Sequence, residues 1–153
     1  MPDKVKFSRK EIFDYLTPDQ MDAVSETSEV IHRKAGEKVY ERGKRAIYFF
    51  VVLKGKVALS YPIKQDFSVI IDELGPGSMF GSCACLNLEK YNLNAQCLED
   101  SDILRIESGI LKKLMDNDLR LGYTIQSKIS EIYFLRYITA MKNLKAVVMD
   151  VQT

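Results

Sequence analysis

The sequence predicts a mainly β domain with α elements, namely an antiparallel β-roll (jelly-roll-like) flanked by N-terminal helices and a long C-terminal helix. Three observations carry that prediction. Between about residues 30 and 107, short runs of β-branched and aromatic residues are punctuated by glycines and charged pairs, the pattern of successive hairpins. On either side of this stretch the apolar residues fall at helical spacing. The chain of 153 residues is long enough for one core and needs no second, so a single domain over 1–153 accounts for it.

Taken in order, the chain opens with a helical lead over 8–26. Ser8 with Glu11 has capping-box form, and Thr17-Pro18-Asp19-Gln20 repeats it with proline at the first helical position. Two short helices, about 9–16 and 18–26, follow from this, with Ile12, Phe13, Leu16, Met21 and Val24 covering one end of the core. Within the roll, Val39-Tyr40, Ala46–Leu53, Lys56–Tyr61 and Phe67–Ile71 read as strands, followed after a turn by Tyr91–Leu98 and Asp102–Ile106. Beyond Glu107 the helical period returns. Ser108 is expected to cap a short hinge helix that turns Ile110, Leu111, Leu114 and Met115 inward, and Asp116-Asn117-Asp118 interrupts it. The rest, to about 149, fits one helix of about 25–30 residues with two apolar faces. Leu121, Ile125, Ile129 and Ile132 lie on one face; Tyr133, Tyr137, Ala140, Met141, Leu144 and Val148 lie on the other. A single domain seldom buries both faces of one helix, so a homodimer pairing this helix with its copy is expected.

The stretch between the fourth and fifth of these β segments looks built to hold something. Pro76-Gly77 suits the two central positions of a type II turn. Phe80 can anchor in the core while Gly81 lets a guest approach the backbone. The run Ser82-Cys83-Ala84-Cys85-Leu86 reads as a short helical turn, whose first amides lack internal partners and suit an anion or a carbonyl oxygen.

Composition narrows the function classes. A net charge of +1 and no basic block give no electrostatic case for nucleic acid. The N-terminus has no apolar signal segment and no run reaches spanning length, so neither export nor a membrane role is expected. Three cysteines, Cys83, Cys85 and Cys97, in such a chain point to free thiols in a reducing, cytoplasmic setting. Cys83 and Cys85 at the start of a helical turn leave a redox sensor as an alternative, because that dipole favours thiolate. Metal binding is not expected, since Cys-x-Cys with a remote His32 lacks ligand spacing. His32 is expected on a strand near the surface. No nucleophile elbow, P-loop or acid pair with a histidine is present, and Asp72-Glu73 and Glu99-Asp100 read as solvated turn residues, so the chain reads as a non-enzyme.

Ala35-Gly-Glu-Lys-Val-Tyr-Glu-Arg-Gly43, Tyr48-Phe-Phe-Val-Val-Leu-Lys-Gly55, Gly75 to Gly81, and Glu99-Asp-Ser-Asp-Ile-Leu-Arg-Ile106 together resemble the cyclic nucleotide-binding domain family over roughly residues 7 to 145. That resemblance implies a β-roll with a phosphate-binding cassette, hinge and lid helices behind it, and a regulatory role in which a bound nucleotide moves the long helix and an effector responds. The family's cassette reads Phe-Gly-Glu-Leu-Ala with an arginine about nine residues after the glutamate. Phe80, Gly81 and Ala84 match it, whereas Ser82 stands for the glutamate that holds the ribose and Tyr91 for the arginine that pairs with the phosphate. Asn92 and Leu93 stand for the next two positions.

The candidate ligand-binding residues are therefore Gly81, Ser82, Cys83, Ala84, Tyr91 and Asn92, with Tyr133, Arg136 and Tyr137 as a lid. No cofactor is fixed by this set. The expected ligand is a weakly held cyclic nucleotide or another small anionic or polar molecule, with the signal passed through the long helix to an effector protein. A ligand-free dimerising interaction module is the alternative. Transcription-regulating relatives carry a winged helix-turn-helix after the long helix; only Val147 to Thr153 remain here, so DNA binding by that route is not expected.

Overall fold

The computed structural model describes residues 12–152; the Ser8 and Glu11 capping box lies outside them. The first described element is a 3-10 turn, Ile12–Tyr15, in place of the last part of the expected helix over 9–16. Helix α1, Pro18–Glu26, starts as its sequence predicts. Thr17 Oγ1 accepts from the Gln20 amide at 3.2 Å and Gln20 Oε1 accepts from the Thr17 amide at 3.0 Å, a reciprocal cap with proline in the first turn.

Eight strands follow: β1 Glu29–Arg33, β2 Lys38–Tyr40, β3 Tyr48–Lys54, β4 Val57–Lys64, β5 Phe67–Leu74, β6 Met79–Phe80, β7 Asn94–Cys97 and β8 Ser101–Glu107. They form two antiparallel four-stranded sheets, ordered β1-β8-β3-β6 and β2-β7-β4-β5, which is the predicted β-roll. Strand β3 explains why the run Tyr48–Leu53 is apolar at nearly every position. Phe49 and Val51 face one core cluster with the helices, while Phe50 and Val52 face a second cluster inside the roll, so the strand is covered on both faces. Gly55 closes the β3–β4 hairpin with φ +96°, and a Cβ there would sit 2.6 Å from the Asp100 carbonyl oxygen, so only glycine fits.

The expected strand over Tyr91–Leu98 is shorter at its start. The Tyr91 amide donates to the Lys44 carbonyl and its carbonyl accepts from Gly43, both at 2.9 Å, so Tyr91 is tied to the 43–46 segment and the ladder of β7 begins only at Asn94. His32 lies on β1 and is exposed, as expected.

Helix α2 spans Ser108–Asn117 and helix α3 Leu119–Gln152. The expectation that Ser108 caps α2 is corrected: Glu107 holds the cap position without a side-chain bond, and the Ser108 amide already donates to the Ile47 carbonyl at 2.8 Å. Asp118 separates the two helices. Its Oδ1 accepts from the Leu121 amide at 3.1 Å and its Oδ2 from Gln20 Nε2 at 3.2 Å, which fixes the direction of α3 against α1. At 34 residues α3 is longer than the sequence predicted. Leu121, Ile125 and Ile129 are buried against the roll, whereas every described residue from Thr139 to Val151 is exposed. No helix among the described residues is long and apolar enough to cross a membrane.

Candidate functional site

The turn at Gly75–Gly77 returns the chain beside β3. Gly77 takes φ +85°, its amide donates to the Val52 carbonyl at 2.7 Å, and the Val52 amide donates to the Ser78 carbonyl at 2.9 Å. This sets β6 in register with β3, Phe80 opposite Phe50, with the two rings stacked at 4.9 Å. Gly81 follows with φ +75°. A Cβ at Gly81 would meet Phe50 Cδ2 at 2.8 Å and the Tyr48 carbonyl oxygen at 3.0 Å. Gly81 thus permits a close approach to the chain's own β3.

Ser82–Cys85 form the expected short turn, a 3-10 helix in which all four residues are buried. The Ala84 amide donates to the Gly81 carbonyl at 3.2 Å, and the Leu86 and Leu88 amides donate to carbonyls of Ser82 and Cys83. The first of these bonds engages the Ala84 amide within the turn. Cys83 and Asn92 are brought together, with Cys83 Sγ donating to Asn92 Oδ1 at 3.4 Å.

Tyr91 fills the interior. Its hydroxyl donates to the Tyr48 carbonyl at 2.7 Å and accepts from the Tyr48 amide at 3.0 Å, and its ring stacks on Tyr40 at 3.7 Å. Tyr40 in turn packs against Phe50 and Phe80, at 5.7 and 6.1 Å between centroids. The ring and hydroxyl expected to face a ligand are thereby spent on the protein itself. Burial pushes the Tyr91 hydroxyl up to about 12 against the lowering effect of the Tyr48 backbone, and burial raises Tyr40 as well, with Tyr91 adding to it. Tyr40 and Tyr48 were missed by the sequence reading. The only signal available was the inward position of Tyr40 in a short strand, and nothing local pairs it with Tyr91.

The three lid candidates behave differently. Tyr133 packs against the core, and burial raises its hydroxyl pKa, with Cys83 adding to this and Arg136 and the Ser82 side chain opposing it. Arg136 Nε donates to Asp72 Oδ2 at 3.2 Å, in an ion pair whose side chains are 17% and 22% exposed. Asp72 is accordingly not the freely solvated turn residue that the sequence suggested. Tyr137 is 59% exposed and stacks on Phe134 at 6.4 Å, so it does not cover the roll. The open cleft of about 600 Å³ bordered by Arg45, Ile47, Glu89, Lys90 and Glu107 is likewise apart from this interior.

Cys85 and Cys97 do not carry the lowered thiol pKa a redox sensor needs. Burial pushes the Cys85 thiol up to about 12, opposed only weakly by Lys112, and burial raises Cys97 too. Burial thus disfavours the thiolate of Cys85 at pH 8. Cys85 is therefore expected to stay unmodified when the native protein meets iodoacetamide at pH 8, and to react once urea unfolds it. Peptide mass mapping reads this, and rapid native labelling of Cys85 would restore the sensor reading. No cluster of groups able to hold a metal ion occurs among the described residues.

Comparison with known proteins places this geometry. The sequence model for the cyclic nucleotide-binding domain matches residues 30–118. A cGMP-dependent protein kinase of Plasmodium berghei (strain Anka) is 29% identical over 137 residues, covering 86% of this chain and only 15% of the kinase. Among solved structures, the catabolite activator protein of Thermus thermophilus superposes with a TM-score of 0.75 at 19% identity, over 88% of this chain and 62% of that one. The sensor domain of the transcriptional regulator DNR from Pseudomonas aeruginosa gives 0.69 at 17% identity, over 86% and 88% of the two chains. At these identities the structures speak for the fold.

Proposed function

Because the chain belongs to the cyclic nucleotide-binding domain family, we propose that it is a non-catalytic regulatory domain in which ordinary cyclic nucleotides bind weakly and the long helix α3 carries the output, as a homodimer read by an effector protein. The observation that supports this most strongly is Tyr91. At the position of the family's phosphate-binding arginine stands a buried tyrosine whose hydroxyl is held on both sides by Tyr48.

A nucleotide phosphate entering the roll would have to break both of those bonds and the Tyr40 stack. It would gain no cassette cation in return. A charge-assisted contact to phosphate contributes about 1.5–3 kcal/mol, and a buried charge without a partner costs several kcal/mol. Ser82 also lacks the carboxylate that would hold a ribose, and it is itself buried. Both losses act in the same direction, toward weak binding.

Calorimetric titration of the full chain with cyclic AMP and with cyclic GMP tests the reading. Dissociation constants in the high micromolar range or weaker are expected for both. A submicromolar constant for either would show that Tyr91 yields to a ligand and would overturn the proposal.

A further inference from the structure

The path of α3 past the roll contains a connection that the family's sequence pattern does not describe. Asp72 lies directly opposite buried Leu59 in the β4–β5 ladder, and directly opposed residues project from the same face of a sheet. A one-residue register shift immediately after this pair, where Ser60 faces Ile70, turns the outer half of the ribbon away and leaves Asp72 at the bend. Asp72 would be a carboxylate directed inward without a counter-charge, were it not for Arg136 of α3. The Arg136 guanidinium carbon lies 5.4 Å from the centroid of the Tyr133 ring, and Tyr133 itself packs against the core. The chain Tyr133, Arg136, Asp72 therefore joins the helix to strand β5. It stands where α3 leaves the roll, because the buried stripe of Leu121, Ile125 and Ile129 ends just before it and the exposed stretch begins at Thr139.

We propose that the Arg136–Asp72 pair, braced by Tyr133, is a latch that holds the middle of α3 on the roll without any ligand, so that its opening and closing set how α3 is presented to a partner. This rests on the reading that the roll's interior is occupied by its own side chains, and it adds which contact regulates the helix. The pair suits such a role because it is sheltered enough to escape most screening, yet sits at the periphery where it can break without opening either core. Its energy is spent on one helix segment and not on the fold as a whole.

Amide hydrogen exchange on the nucleotide-free full chain tests the latch, with wild type and variants compared in the same oligomeric state as checked by sedimentation. Asp72→Asn and Arg136→Met are each expected to speed exchange across residues 130–138 by about tenfold or more, leaving β3 and β8 unchanged. The charge swap Asp72→Arg with Arg136→Asp is expected to restore protection. Unchanged exchange at 130–138 in both single variants overturns the latch, as does a swap that fails to restore protection in a folded protein. Should a single variant lose its fold, general acceleration of β3 and β8 would show the pair to be a core support, which also overturns it. A failure of the functional reading appears elsewhere, as tight nucleotide binding by the wild type.

Discussion

Replacing Tyr91 by alanine is expected to destabilise the domain by about 5–7 kcal/mol. Truncating a buried aromatic residue typically costs 3–5 kcal/mol through lost transfer energy and the cavity left behind, and each hydrogen bond lost to the Tyr48 backbone adds roughly 1 kcal/mol. For a domain of this size that is a fall in Tm of ~10 °C or more. Tyr91→Phe separates the terms, because it keeps the stack on Tyr40 and removes only the hydroxyl, so a loss of about 1–2 kcal/mol is expected. Urea unfolding followed by circular dichroism measures both, and a Tyr91→Ala protein within 1 kcal/mol of the wild type would mean the ring is not filling the roll. The same burial has a pH signature. The folded-state pKa of Tyr91 is about 12 and that of Tyr40 is also raised, whereas an unfolded tyrosine titrates near about 10. The neutral hydroxyls therefore contribute in full below about pH 10. Above it the unfolded chain releases protons that the folded one retains, so stability falls as pH rises from about 10 toward 12.

Much of this was legible in the sequence for reasons that are local. The Thr17 to Gln20 cap, the strand at β3 and the break at Asp118 each follow from residues within a few positions of one another. Ser82 and Tyr91 in the cassette were legible in the same way, as departures from a spaced pattern. What those departures do was not, because the consequence lies in residues remote along the chain. Tyr40 meets Tyr91 only after β2 and β7 pair, and the Tyr48 backbone meets the Tyr91 hydroxyl only after the 43–46 segment folds back on it. Asp72 stands next to Glu73 and close to Gly75-Pro76, a local composition that suits a solvated turn. The bulge that sets it beside Arg136 depends on the register of β4 against β5, which no short stretch specifies. Ser108 misled for a related reason: it has the composition of a cap, but the backbone bond to Ile47 places it already inside the helix.

The output proposed for the domain depends on the outer face of α3, and lysine at both Met141 and Leu144 is expected to abolish self-association. Tyr123, Ser127, Ser130, Phe134, Tyr137, Met141, Leu144, Val148 and Val151 follow one another at alternating steps of four and three residues, and all are exposed on the isolated domain. A seam of that period drifts slowly around a straight helix, and two copies keep it in contact by crossing with a left-handed supercoil. The polar start at Ser127 and Ser130 and the apolar run from Phe134 onward put the strongest packing where α3 has left the roll. The roll buries Leu121, Ile125 and Ile129 on another face of the same helix, so one stripe fixes the helix to its own domain and the other is exposed. Burying a Met or Leu side chain contributes about 1.5–3 kcal/mol, and a two-fold seam loses both residues in both copies, with four ammonium groups brought together as well. The dissociation constant is thus expected to rise by at least about a thousandfold, equivalent to roughly 4 kcal/mol. Since neither side chain touches a core, circular dichroism and thermal unfolding of the roll should be preserved. Lys142→Glu, off the seam and exposed, should leave the dimer intact. Sedimentation equilibrium at tens of micromolar protein decides the matter: a wild type that is monomeric there, or a double variant that still dimerises, would remove the helix seam as the route by which this domain signals.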